Sequence, residues 1–98
     1  MQDIQKVSNP RGTVFLTAFD ENQSIALEET ISIEDYYGGS HPMIDSDDFR
    51  RQHHIRCIRG KIFDHDGTLD QEFDNKYTAD GRYAHGRAIH ADGTIIED

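Results

Sequence analysis

Gly60-Lys-Ile-Phe-Asp-His-Asp-Gly-Thr-Leu69 and Gly86-Arg-Ala-Ile-His-Ala-Asp-Gly-Thr-Ile95 are two copies of one pattern, 26 residues apart. A third Asp-Gly pair, Asp80-Gly81, lies between them. Read His65-Asp66-Gly67, Ala79-Asp80-Gly81 and Ala91-Asp92-Gly93 as three-residue hairpin loops with glycine in the left-handed position. The register of the flanking strands is then fixed. Phe63 faces Leu69, Tyr77 faces Tyr83 and Ile89 faces Ile95, so an apolar or aromatic cross-strand pair stands beside every turn. The pattern predicts antiparallel strands from His54 to the end of the chain, with Thr94-Ile-Ile-Glu97 as an exposed edge. Such an edge can recruit a partner strand or another copy of the chain.

Working back from the hairpins, Ser46 can cap a short helical turn, with Asp47 and Asp48 at its start and Arg50 and Arg51 at its end. That is the order the helix dipole favours. Tyr36-Tyr-Gly-Gly-Ser-His-Pro42, with two glycines and a proline within five residues, predicts a loop. Ser24 to Ile33 alternates, with Ile25, Leu27, Ile31 and Ile33 on one face and only Glu29 breaking it. A helix capped by Ser24 competes for this segment, and the alternation with its three isoleucines favours a strand. Asp20-Glu-Asn-Gln23 is a turn, and Thr13-Val-Phe-Leu-Thr-Ala-Phe19 is a β-branched, aromatic strand. Residues 1–11 form a polar lead-in.

The 98 residues suffice for one domain, and 35% apolar against 30% charged content places it among small-cored folded chains. No apolar run approaches the length of a membrane span. Cys57 is the only cysteine, so no internal disulfide forms. With no basic-then-apolar leader at the start, a reducing, cytoplasmic setting is expected.

The net charge of −9 is localised. Between Arg11 and Arg50 there is no Lys or Arg, while Asp20, Glu21, Glu28, Glu29, Glu34, Asp35, Asp45, Asp47 and Asp48 all fall there. These nine acids account for the whole net charge, because ten acids and ten bases make up the remainder. Five of those bases, Arg50, Arg51, Arg56, Arg59 and Lys61, crowd into residues 50–61. An acidic half at 12–49 is thus followed by a basic strip at 50–61 and the hairpins of 60–98.

Ile62-Phe-Asp-His-Asp-Gly-Thr-Leu69 resembles the first motif of the haloacid-dehalogenase-like phosphatases. That resemblance implies a parallel α/β sheet, Asp64 as nucleophile, Asp66 as general acid/base, and magnesium. It spans eight residues, and only 29 follow it. The second copy of the pattern has His90 in place of the nucleophile. Tyr77-Thr-Ala-Asp-Gly-Arg-Tyr-Ala-His-Gly86 also has some similarity to the membrane-occupation-and-recognition-nexus repeats, which chain short hairpins. Of the six histidines, His41, His53, His54, His65, His85 and His90, none has ligand-like spacing. Adjacent His53 and His54 would point to opposite faces of a strand.

These features predict a mainly β chain, with α+β as the variant: a small antiparallel meander of sequential hairpins with one or two short helical turns. They predict no catalytic residue, no metal site and no cofactor. Complementary potentials speed and orient protein encounters, so a localised negative surface suits a partner with a basic nucleic-acid-binding surface. By charge and size the chain is similar to small acidic phage inhibitors of restriction or CRISPR enzymes. The expected contact residues are Asp20, Glu21, Glu28, Glu34, Asp35, Tyr36, Tyr37, Asp45, Asp47 and Asp48. Direct nucleic-acid binding and membrane binding are not expected at this charge. The alternatives are a small metal-dependent phosphatase-like or metal-binding protein centred on Asp64 and Asp66, and a structural or assembly subunit pairing through the C-terminal edge strand.

Overall fold

The computed structural model describes residues 12–39 and 41–97. The lead-in expected over residues 1–11 lies outside them. Six antiparallel strands form one sheet: β1 (Thr13–Phe19), β2 (Ile25–Ser32), β3 (Cys57–Phe63), β4 (Leu69–Tyr77), β5 (Tyr83–His90) and β6 (Ile95–Glu97). Their order is β2-β1-β3-β4-β5-β6. The chain is mainly β, as its sequence predicts.

All three predicted hairpins form. Asp64 N–H donates to the Thr68 carbonyl (2.8 Å), Thr78 N–H to Arg82 (2.9 Å) and His90 N–H to Thr94 (2.9 Å), closing three-residue loops. Gly67, Gly81 and Gly93 adopt φ of 87°, 88° and 89°, the left-handed region that glycine enters without steric cost. Phe63 pairs with Leu69, Tyr77 with Tyr83 and Ile89 with Ile95. Strand β1 has the predicted bounds, and residues 25–32 are strand rather than helix.

The meander is broken once. After the β1–β2 hairpin the chain crosses over β1, and β3 pairs with β1 on its other side. Three short helices lie in that crossover, one more than the sequence suggests: α1 (Ile33–Gly38), α2 (Pro42–Asp45) and α3 (Asp47–Gln52). Helix α1 corrects the loop expected from Tyr36 onward. The Ser32 hydroxyl caps it by accepting from Asp35 N–H (3.0 Å), Glu34 and Asp35 occupy its first turn, and Gly39 closes it at φ 73°. Helix α3 is capped by Ser46 as predicted, its hydroxyl accepting from Phe49 N–H (3.1 Å). His53 and His54 end this helix, so the strand resumes at Cys57 and not at His54.

The helices cover one face of the sheet. Val14, Leu16 and Ala18 of β1, Ile58 and Ile62 of β3, and Phe73 and Tyr77 of β4 meet Met43 and Ile55 in a single buried cluster. Leu27, Ile31 and Ile33 pack against it from the alternating segment. Ile25 does not, because the β1–β2 register shifts between Ala18 and Phe19, and Ile25 is left 57% exposed.

Arg50 is the one charged side chain buried among the described residues, at 4% exposure. Its Nε donates to the Gly81 carbonyl (2.8 Å), and its Nη1 to the carbonyls of Met43 (3.1 Å) and Ile44 (2.8 Å). Nη2 pairs with Asp47, and the guanidinium lies 4.5 Å from the Tyr77 ring centroid. One cation thus ties α2, α3 and the β4–β5 turn together, with its donors matched as a buried charge requires.

Candidate functional site

Two surfaces emerge from this fold. The first is the β2 edge with the start of α1. Here the acidic half is spread over several elements, and much of its charge is already used. Asp20 accepts from the N–H groups of Asn22 (2.9 Å) and Ser24 (3.0 Å) in the β1–β2 turn. Asp45 accepts from His41 N–H (2.9 Å). Asp47 pairs with Arg50, and Asp48 with Arg51 at 3.0 Å. Glu21 lies 3.6 Å from His54, Glu29 3.1 Å from His41 and Glu34 3.8 Å from His65. Glu28, opposite Thr17, and Asp35, in the first turn of α1, have no ion pair among the described residues. Tyr37 is 65% exposed, whereas the ring of Tyr36 stacks on Phe73 at 5.9 Å and is half-buried. Burial pushes the Tyr36 phenol up to about 12, with Tyr37, Tyr77 and Asp45 adding to the rise.

The second surface is the sheet face opposite the helices, which no described helix covers. Pairing across the strands draws its side chains into rows. One row runs Thr30, Phe15, Lys61, Glu72, Ile89 and Ile95 from β2 to β6. The next runs Glu28, Thr17, Arg59, Asp74, Arg87 and Glu97, so that from β3 onward the charge alternates at every strand. Arg59 lies 3.3 Å from Asp74, and Arg87 3.5 Å from Glu97. The Arg59 guanidinium also sits 5.0 Å from the centroid of Phe19, and Phe15 meets Phe63 edge-on at 5.6 Å. These groups border a shallow groove of about 750 Å³.

Beside that row, Cys57 Sγ donates to Asp74 (3.2 Å) and accepts from Lys76 Nζ (3.4 Å), and Lys76 is 3.1 Å from Asp74. Burial pushes the Cys57 thiol up, the Asp74 carboxylate adds to the rise, and Lys76 only partly opposes it. Burial also pushes Asp74 up, but its bonds from Cys57 and Lys76 and the nearby Arg59 outweigh this and lower it. Its bond to Asp74 raises Lys76 despite partial burial. The cysteine is therefore a neutral thiol at neutral pH, a poor nucleophile.

Asp64 and Asp66 stand in a hairpin loop of an antiparallel sheet, not at the end of a parallel strand as the phosphatase resemblance implies. The Asp66 carboxylate accepts from Thr68 N–H (2.9 Å), a bond that shapes the turn. The same bond recurs from Thr94 N–H to Asp92 (2.9 Å). Among the described residues no group of three or more His, Cys, Asp or Glu side chains is placed to hold a metal ion. No described helix is long and apolar enough to cross a membrane.

No protein family, curated protein or solved structure matches this chain. The open face went unread in the sequence, although its signal was present: Arg59 and Lys61 alternate with Ile58, Gly60 and Ile62, and Glu72, Asp74 and Lys76 alternate with Phe73 and Asn75.

Proposed function

We propose that this chain is a small acidic protein-binding module, an inhibitor or nucleic-acid mimic that docks on the basic surface of a nucleic-acid-handling protein. One observation carries the reading. Strand β2 pairs only with β1 among the described residues, leaving one edge of its eight-residue backbone open. That edge bears Glu28 on one face and Glu29 on the other, and runs directly into Glu34 and Asp35. No Lys or Arg between residues 12 and 49 neutralises them. An open edge offers main-chain hydrogen bonds to an added strand, and the carboxylates favour a basic one. Because Asp20, Asp45, Asp47 and Asp48 bond within the chain, the charge free to act on a partner centres on Glu28 and Asp35, with the exposed Glu34 beside them held only by His65 at 3.8 Å.

The test is a nuclease-treated pull-down from lysate of the source organism or its host, washed across a salt series. Capture of a nucleic-acid enzyme that elutes with rising salt and is displaced by added DNA or RNA supports the reading. The triple variant Glu28→Lys, Glu34→Lys, Asp35→Lys should lose that partner while keeping its circular dichroism spectrum. Unchanged affinity in the triple variant would sink the idea.

A further inference from the structure

We propose that two copies of this chain pack open face to open face, about a two-fold axis parallel to the strands between β3 and β4. The inference rests on the face that no described helix covers, and that face shares only Glu28 with the acidic β2 edge. An axis in that position exchanges β3 with β4, β1 with β5 and β2 with β6. Residues that are cross-strand neighbours within one sheet become facing neighbours between sheets. Arg59 then meets Asp74 of the second copy, and Lys61 meets Glu72. Phe15 meets Ile89, and Phe63 meets Leu69. Every contact occurs twice, as a two-fold interface requires.

Three observations favour a second copy as the occupant. The first is charge. The whole chain carries −9, so most approaches of two copies are repulsive. On this face, however, Arg59, Lys61, Lys76 and Arg87 balance Glu28, Glu72, Asp74 and Glu97. The second is unused valence, since neither Lys61 nor Glu72 forms an ion pair among the described residues although they stand opposite each other. The third is area. The molecule measures 43 × 26 × 26 Å, so its broad face is on the order of 1,000 Å², against about 800 Å² per partner in a standard interface. Packed sheets align within about 30° of each other, which keeps the central rows in register and splays the rims. Glu28 and Glu97, which would meet at the rims, therefore stay in solvent where salt screens them.

The experiment is sedimentation equilibrium from micromolar to millimolar chain, with circular dichroism to check each fold. A monomer–dimer equilibrium is expected. Lys61→Glu should weaken the dimer by about tenfold or more, because like charges then meet at two symmetric places. Glu72→Lys should do the same, and Phe15→Lys, at a site already 39% exposed, should also weaken it. The double variant Lys61→Glu, Glu72→Lys should restore wild-type dimerisation. A chain that stays monomeric throughout overturns the proposal, as does a dimer indifferent to Lys61→Glu and Phe15→Lys. A dimer lost only on deleting residues 94–98 assigns pairing to the β6 edge and overturns it as well. Failure of the double variant to restore the dimer would rule out the axis between β3 and β4.

Discussion

The ring of Phe73 fills the space above Gly60, its cross-strand partner, so that a Cβ on Gly60 would collide with Cε2 and Cζ of that ring. Phe73 is buried on the covered face with Tyr36 stacked against it, and has little room to yield. Gly60→Ala should therefore act as overpacking and cost about 1–3 kcal/mol. The midpoint of urea unfolding should fall accordingly, with the slope unchanged. A wild-type midpoint would mean that the ring does not occupy this space.

The three hairpin glycines share one conformation and differ in surroundings. Nothing lies within 4 Å of a Cβ built on Gly67 or Gly93, whereas one built on Gly81 meets the Asp47 carbonyl and Arg51 N of α3. Alanine at Gly67 or Gly93 should cost only the strain of a left-handed residue, about 1–2 kcal/mol. Alanine at Gly81 should cost clearly more, because the turn must also separate from α3. Thermal melts of the three variants rank them, and equal shifts would refute the docking of the β4–β5 turn on α3.

Arg50 donates to three main-chain carbonyls, those of Gly81, Met43 and Ile44. Arg50→Met removes the charge and these three bonds while roughly keeping the stem, and should destabilise the chain by about 2–4 kcal/mol. Arg50→Lys should recover little, since an ammonium cannot reproduce the fork that reaches Gly81, Met43 and Ile44 together. Chemical denaturation measures both, and a fully rescuing lysine would contradict the geometry.

The Cys57, Asp74 and Lys76 cluster sets a pH dependence of opposite sign at its two ends. Asp74 is lowered in the folded state, so its contribution is present above the unfolded carboxylate value of about 3.9 and is lost as pH falls through the folded value. Lys76 is raised, so its contribution is complete below about 10.4 and is lost as pH rises through the folded value. Asp74→Asn should flatten the acid limb of the stability–pH curve. It should also flatten the alkaline limb, because Lys76 loses its main partner. Parallel curves for variant and wild type would exclude the coupling.

The parts of this fold that were legible in the sequence are those whose cause is local. Asp66-Gly67, Asp80-Gly81 and Asp92-Gly93 specify a loop length, and the loop length specifies the pairs Phe63–Leu69, Tyr77–Tyr83 and Ile89–Ile95. Ser46 was readable as a cap for the same reason. Helix α1 was missed because Gly38-Gly39 dominates the composition of its end, while its determinant is the hydroxyl of Ser32 and the carboxylates just after it. The exposure of Ile25 comes from a register shift that alternation alone does not reveal. The burial of Arg50 needs carbonyls from Met43 and Gly81 to converge, and no spacing encodes that. Most of the candidate contact acids were visible as a charge block. Which of them remain free depended on partners as remote as His54 and His65.

The single break in the meander among the described strands should order the folding reaction in time. Strands β3 to β6 close through three-residue loops, which cost little entropy and form quickly. Pairing β1 with β3 brings Phe19 to Cys57 and Thr13 to Phe63, contacts that must wait for the whole crossover to be gathered in. The C-terminal hairpins should therefore form first, as a template on which the β1–β2 hairpin docks last. Its late docking buries Val14, Leu16 and Ala18 against Ile58 and Ile62. Substitutions in β1 should speed unfolding while leaving the refolding of the template nearly untouched, and the two ends of one small sheet therefore have different kinetic lives.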